Sequence, residues 1–548
     1  MADLSYISCP NPEHARYKSI VDILHEKTNE DPKKEICVER FVGGERKALT
    51  YEELVNKSSY IAKYLVSKGI KPGDSVALIG PNSVEWVIAE FAIFAAGAVA
   101  IHIYKTSESF DETLKLLKTT KCNAVLIDPE SDKQYIADME KYFLAGESGE
   151  STDGKPMAML IRKLALTTIP SIGDVVLTPE EESTLLPRVQ PESSAVIFVT
   201  SGSTGVPKMV EHTHFGMVNG TYTAFFGAGC DRPQNTCYND RPFCWLGGSP
   251  IFNILNGSKR VFVDTAIGMN KENILTIWDI IVTERCMSAE LLPYAVLDII
   301  GNMDTILKSE HKVYAILTGG QLIGKQLTEI IGKCTEKMFM VYGSTEMGIP
   351  CYMELTPSME ESYVGPLFPG YEVKIAGNKN ETLDRGDLGD IMVRSPSMLK
   401  CYRDAPEINK ASFIDGWFKT GDVGIITKDS KLFVKGKSGD VIKRGGLKVL
   451  SSAVESVISK LPGVRDVVVM AVPDTRLLEE VCACYVLKDE PNTTDVDLDK
   501  KCEAVLGDNV LGNKPSYFLR FESFPKLTNG KTDKVQVKRQ ALDRLNLL

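Results

Sequence analysis

Five consecutive apolar residues, Ala195-Val196-Ile197-Phe198-Val199, run straight into Thr200-Ser201-Gly202-Ser203-Thr204-Gly205-Val206-Pro207-Lys208. An unbroken apolar run of strand length, ended by a Ser/Gly cluster, reads as a strand buried on both faces, the kind found in helix-covered parallel sheets. The loop that follows combines small residues, hydroxyls and one lysine. Glycines clear the Cβ obstacle, while backbone N–H groups, hydroxyls and a cation face an anion, so such a loop suits a polyphosphate. Taken alone it reads first as an ordinary Ser/Gly turn after a strand. It is not a Walker A loop, because no Gly-Lys-Ser/Thr closes it. The chain's Gly-Lys-Thr, Gly530-Lys531-Thr532, has Pro525 where that motif needs its upstream glycine.

The neighbouring segments alternate between helix and strand patterns. Tyr51 to Lys68 carries helical apolar spacing and Ser75 to Ile79 reads as a strand. Asp111 to Leu117 leads into the strand Ala124-Val125-Leu126-Ile127. The most apolar stretch, Trp86 to Ile103, includes Glu90 and Gly97, and reads as a buried helix followed by a strand, with no membrane span. Such alternation implies an α/β fold: a large N-terminal domain of parallel-rich sheets sandwiched by helices. At 548 residues the chain exceeds what one core supports. Gly436-Lys437-Ser438-Gly439-Asp440 reads as a hinge after a strand, which divides the chain into a large domain over 1–435 and a small mobile α+β domain over 441–548. The polar low-complexity stretch 145–156 is expected to be a surface insertion.

A formal net charge of -10 and a pI near 5.4 argue against a nucleic-acid or anionic-membrane binder, so any anion must be held by local donors. Thirteen cysteines, an odd number scattered along the chain, fit free thiols in a reducing compartment. Cys230, Cys237 and Cys244 recur at sevens, but no histidine or fourth cysteine completes a zinc spacing. Cys482 and Cys484 fall in an apolar run that reads as a buried strand. The amino terminus shows neither a secretory n- and h-region nor the character of a transit peptide, and the carboxyl end is not a peroxisomal address; the cytoplasm is the expected compartment.

Five stretches occur in the order and spacing of the adenylate-forming superfamily, the group of acyl-CoA synthetases, peptide-synthetase adenylation domains and beetle luciferases. They are Thr200 to Lys208; Gly319-Gly320; Tyr342-Gly343-Ser344-Thr345-Glu346; Gly416-Trp417-Phe418-Lys419-Thr420-Gly421-Asp422; and Asn529-Gly530-Lys531. A looser sixth is Gly436 to Asp440 with Arg444-Gly445-Gly446. The chain resembles that superfamily over essentially its whole length, and most resembles an acyl-CoA synthetase.

The resemblance implies an ATP-dependent acid–thiol ligase using Mg²⁺, with CoA as co-substrate and a small carboxylic acid as substrate. Expelling pyrophosphate from ATP develops charge that needs donors, cations and a metal. Thr200, Ser201, Gly202, Ser203, Thr204, Gly205 and Lys208 would then hold the β and γ phosphates. Thr345 would face the α-phosphate, with Ser344 and Gly343 beside it, and Glu346, together with Thr204, would bind Mg²⁺. Outside the family frame, a Thr-Glu pair reads as a helix cap with a first-turn acid.

Gly319, Gly320 and Gln321 would pass beside adenine, with Tyr342 stacked on its other face. Asp422 would accept both ribose hydroxyls, with Lys437 nearby. His214, Trp245, Gly320 and Ile349 would line the acid pocket; Lys443, Gly445 and Gly446 would meet CoA. Lys531 would bridge the acid carboxylate and the α-phosphate, and rotation about Gly439 would replace it with a CoA-admitting surface. A monomer or homodimer is expected, with no nucleic acid and no membrane span.

Several positions depart from the family pattern. Met209 follows Lys208 where a glycine is usual, and Gln321-Leu322-Ile323 replaces the usual Ala-Pro-Leu. Lys437 replaces an arginine, Gly439 replaces a charged hinge residue, and Trp245 stands where many members have a histidine. Three other readings stay open: a luciferase-like oxygenase, an enzyme that loads a carrier protein, and a non-catalytic nucleotide-binding regulator. Arg444-Gly445-Gly446 leans towards the medium-chain fatty-acid branch. Leu246-Gly247-Gly248-Ser249 resembles the serine site of a carrier protein but lies mid-domain, and is expected to be a loop beside the substrate.

Overall fold

The computed structural model describes residues 4–10, 15–103, 110–129, 133–144, 156–164, 167–200, 208–226, 235–268, 270–319, 325–360, 362–444, 447–475, 478–488, 514–526 and 532–547. The chain falls into two compact units. One comprises Ser8–Glu372 with Val393–Phe418, and the other Met1–Ile7, Val373–Met392 and Lys419–Leu548.

The larger unit is built on two mixed sheets. The apolar runs become strands where expected: Ser75–Ile79, Val99–Ile103, Ala124–Ile127 and Ser194–Thr200. With Met157–Leu160 they pair in parallel, and Lys208–Thr213 and Cys401–Tyr402 add two antiparallel strands at one edge. Because successive side chains alternate, both faces of these strands are covered. Val76, Leu78, Ala100, Val196 and Phe198 face the main core, whereas Ala77, Ile79, Ile101 and Ile197 face a second cluster with Phe110, Tyr135 and Met139.

The second sheet has eight strands, in the order Gly348–Glu354, Thr335–Ser344, Val313–Gly319, Ser288–Glu290, Thr236–Tyr238, Lys259–Phe262, Glu35–Arg40 and Arg46–Thr50. The inner six are parallel and the two outermost antiparallel. The main core holds residues of both sheets and of the helices Ile20–Glu30, Tyr51–Ser67 and Val84–Ala95. Val84–Ala95 is buried nearly all round, which accounts for its membrane-like hydropathy. Among the described residues, no helix is long and apolar enough to cross a membrane.

In the other unit, a sheet of Leu447–Leu450, Val441–Arg444, Leu478–Leu487 and Val464–Asp474 carries Tyr517–Arg520 in parallel on Leu478–Leu487. Val481, Ala483 and Tyr485 pack on one face with Val454 and Ile458 of the helix Ser451–Ile458. Cys482, Cys484 and Val486 pack on the other with Val537 and Ala541 of the helix Lys534–Arg544. Both cysteines are thus core residues, and the hydrogen bond with Cys482, then burial, drives the Cys484 thiol pKa upward. A further sheet runs in the order Tyr6–Cys9, Tyr371–Ala376, Gly389–Arg394, Trp417–Ile426 and Phe413–Ile414, with Leu432–Lys437 also paired to Trp417–Ile426.

Candidate active site

Thr200 ends one strand and Lys208 begins its antiparallel neighbour, and the two are register partners across the ladder. The Thr200 hydroxyl donates to the Lys208 carbonyl at 3.4 Å. The expected phosphate loop is therefore closed at its base by a strand pair; its other residues, Ser201, Gly202, Ser203, Thr204 and Gly205, lie outside the described residues. Nothing in the residues around Lys208 marks this strand return. The return also explains Met209: this side chain lies opposite Val199 and packs, 9% exposed, in the cluster with Ile101 and Ile197. A glycine there would give up that packing.

Thr345, Glu346 and Met347 form the turn of a β-hairpin between Thr335–Ser344 and Gly348–Glu354, not the start of a helix. Ser344 pairs with Gly348, and the register shifts between Tyr342 and Ser344. At Gly343 an added Cβ would lie 2.3 Å from the Gly348 carbonyl oxygen, so this bulge admits only glycine. Tyr371 donates its hydroxyl to the Met347 carbonyl at 3.1 Å and fixes the turn from below.

Two buried residues that lie on none of the expected motifs, His212 and Tyr402, join this turn to the loop base. The His212 Nε2–H donates to the Thr345 carbonyl at 2.8 Å, and burial lowers the imidazole pKa to about 4, so it is neutral near pH 7. The Tyr402 hydroxyl donates to Glu346 Oε1 at 3.1 Å, and the Lys208 ammonium stands 5.3 Å from the Tyr402 ring centroid. Leu399 N–H donates to the Glu346 carbonyl at 2.7 Å. Three segments distant in sequence thus bring a carboxylate, a lysine and a hairpin turn together.

Gly319 is the last residue of the strand Val313–Gly319 and pairs with Val341. A Cβ there would lie 2.7 Å from the Val341 carbonyl oxygen and 2.9 Å from its Cγ2, so the strand itself requires the glycine. Gly320 and Gln321 lie outside the described residues. Tyr342, one residue beyond Val341, is half-buried. Ile349 follows the turn and packs, with Phe252, Tyr314 and Tyr352, on Ala315, Leu317 and Phe339.

Trp245 is half-buried against the main core. Its loop is tied down by the wholly buried Arg260, whose guanidinium donates to the carbonyls of Asn239 at 3.0 Å and Ser249 at 3.2 Å and lies 4.7 Å from the Phe243 ring centroid. Ser249 is 1% exposed, so it cannot serve as a carrier-type attachment serine. His214 is wholly buried as the first residue of the helix His214–Phe226, edge-on to Phe94 at 5.6 Å.

Family comparison decides what these pieces belong to. The AMP-binding enzyme family model matches residues 24–403, and that of the AMP-binding enzyme C-terminal domain matches residues 453–531. The chain belongs to the AMP-binding enzyme family. It is 25% identical over 573 residues to the medium-chain acyl-CoA ligase ACSF2, mitochondrial, of Bos taurus, which covers 99% of this chain and 91% of the relative. It is also 25% identical over 511 residues to the long-chain-fatty-acid–CoA ligase FadD13 of Mycobacterium tuberculosis, with 90% and 93% covered. Its fold is that of the ATP-bound MatB crystal structure from Rhodopseudomonas palustris, at TM-score 0.74 and 21% identity over 96% of this chain and 99% of that one.

In the smaller unit of this AMP-binding enzyme, Asp422 and Lys437 are register partners, on Trp417–Ile426 and Leu432–Lys437, and the lysine ammonium lies 2.6 Å from Asp422 Oδ1. Thr420 Oγ1 accepts from the Asp422 N–H at 3.0 Å and fixes the backbone beneath the carboxylate. Lys443 belongs to the strand Val441–Arg444. Gly439 sits exposed in the short turn Ser438–Asp440, where an added Cβ would touch nothing within 4 Å. Gly445, Gly446 and Lys531 lie outside the described residues. Among the described residues, no group of three His, Cys, Asp or Glu side chains is placed to hold a metal ion.

Proposed function

We propose that the chain is an AMP-forming acid–CoA ligase acting on a fatty acid, with ATP·Mg²⁺ and CoA as the other substrates. The observation that carries this reading is the cluster of Lys208, Tyr402, Glu346 and the His212-held Thr345, drawn from three segments of the larger unit. Its donor set fits the nucleotide. A single half-buried carboxylate suits Mg²⁺, which is commonly held by one or two carboxylates together with substrate phosphates and water. The lysine at the loop base is a compact cation for the β and γ phosphates.

In this reading a carboxylate oxygen of the acid attacks the α-phosphorus, the bond to the bridging oxygen breaks, and pyrophosphate leaves. The CoA sulfur then attacks the acyl carbonyl and AMP departs. Lys208 and the loop 200–208 balance charge on the leaving pyrophosphate. Asp422 accepts the ribose hydroxyls, for which Lys437 must yield one carboxylate oxygen. Lys531 bridges acid and α-phosphate, and the segment 436–440 is the pivot of the exchange between half-reactions. Glu346 would hold Mg²⁺, which would supply charge neutralisation to the phosphates.

The Arg444-Gly445-Gly446 segment and the chain-length classes named for the two relatives favour a fatty acid, while Ile349, Phe252 and Tyr352 give an apolar wall. A pyrophosphate-release screen over acids graded by chain length and aromaticity tests the assignment. Straight-chain acids of medium length are expected to give the highest kcat/KM, with acyl-CoA formed only when CoA is added. Preference for an aromatic acid, or release independent of any acid, would overturn it.

A further inference from the structure

Tyr402 lies on no stretch that the chemistry above uses, yet it touches both charged groups of the cluster. Its side chain is nearly all buried, at 4% exposure. Its backbone is clamped on both sides by one residue: Tyr402 N–H donates to Asn409 Oδ1, and Asn409 Nδ2 donates to the Tyr402 carbonyl, each at 2.7 Å. The ladder extends that clamp, since Tyr402 pairs with Val210, Lys400 N–H donates to the Glu211 carbonyl and Arg403 N–H to that of Met209. Arg403 Nε also meets Glu211 Oε2 at 2.7 Å.

The ring therefore sits at a fixed height above the strand that begins at Lys208. One end of it, the hydroxyl, donates to Glu346 Oε1; its face carries the Lys208 ammonium at a cation–π separation. A carboxylate oxygen can only accept, so the hydroxyl is the donor of this bond.

We propose that Tyr402 is a positioning residue for the nucleotide's metal and polyphosphate: one rigid side chain sets the Glu346 carboxylate and the Lys208 ammonium in register with each other. This rests on the reading that Glu346 faces Mg²⁺. Tyr402 occupies Oε1 alone, so Oε2 can still bind a cation, and a preset carboxylate loses less freedom when the metal arrives.

The test is ATP binding to the full chain by calorimetry, with no acid present, at graded Mg²⁺ and in EDTA. Tyr402→Phe keeps the ring and removes the hydroxyl. It is expected to raise the Mg²⁺ concentration for half-maximal tightening about tenfold and to leave binding in EDTA at the wild-type value. Tyr402→Leu removes the ring as well and is expected to weaken binding in EDTA too. A wild-type Mg²⁺ requirement in Tyr402→Phe overturns the proposal. Glu346→Gln separates the two claims: if it loses the Mg²⁺ response while Tyr402→Phe does not, only the role of Tyr402 fails. If Glu346→Gln itself responds to Mg²⁺ as wild type does, the reading of Glu346 falls and takes the proposal with it.

Discussion

At the scale of single residues, the buried histidines make the fold sensitive to acid. Burial depresses the His214 pKa to about 3, so its imidazole is neutral in the fold, while an unfolded imidazole takes a proton below about pH 6.5. The unfolded chain thus binds the extra proton between those values, and stability falls as pH drops through the window. The loss at pH 5 comes to about 2 kcal/mol for one such group. His214→Leu is expected to remove that part of the loss, narrowing the gap between urea unfolding free energies at pH 8 and pH 5 by about 2 kcal/mol; His212 keeps its own share. An unchanged gap would show that His214 is solvated or paired. Neither His212 nor Tyr402 was legible in the sequence. Each acts through a strand partner or a turn more than a hundred residues away, and nothing in Val210-Glu211-His212 or Cys401-Tyr402-Arg403 marks that distance.

At the scale of elements, strands were readable where the chain is apolar on both faces. Ser75–Ile79 and Ala124–Ile127 have the bounds their composition suggests, because continuous burial leaves no alternation to misread. The hairpin turn at Thr345-Glu346 was not readable as such. Ser, Thr and Glu in sequence favour a helix start, and what overrides that preference is the bulge at Gly343 and the register with Gly348. Gly319 carries a similar lesson. Its expected role was clearance for adenine, but the contact with Val341 already forbids a side chain. Gly319→Ala is therefore expected to cost about 1–3 kcal/mol of stability in urea unfolding without nucleotide. A variant as stable as wild type that only loses ATP affinity would contradict the packing account.

At the scale of the whole molecule, the family was legible because six short stretches kept their order from Thr200 to Lys531, although each alone has an ordinary explanation. The acid was not legible, since the residues expected around it come from separate loops and strands, among them Trp245 and Ile349. The excess of acidic over basic residues, 73 against 63, leaves local groups to hold the triphosphate and CoA. The most direct measurement is exchange of labelled pyrophosphate into ATP, with acid and Mg²⁺ but no CoA, run beside thioester formation from a supplied acyl-adenylate. The wild-type chain is expected to exchange only when acid is present. Lys531→Ala is expected to lose exchange by several hundredfold or more, at about 4 kcal/mol of transition-state stabilisation, while still forming the thioester from the adenylate. Thioester synthesis from ATP, acid and CoA without acid-dependent exchange, or equal loss of both half-reactions in Lys531→Ala, would contradict an adenylate-forming ligase that uses this lysine.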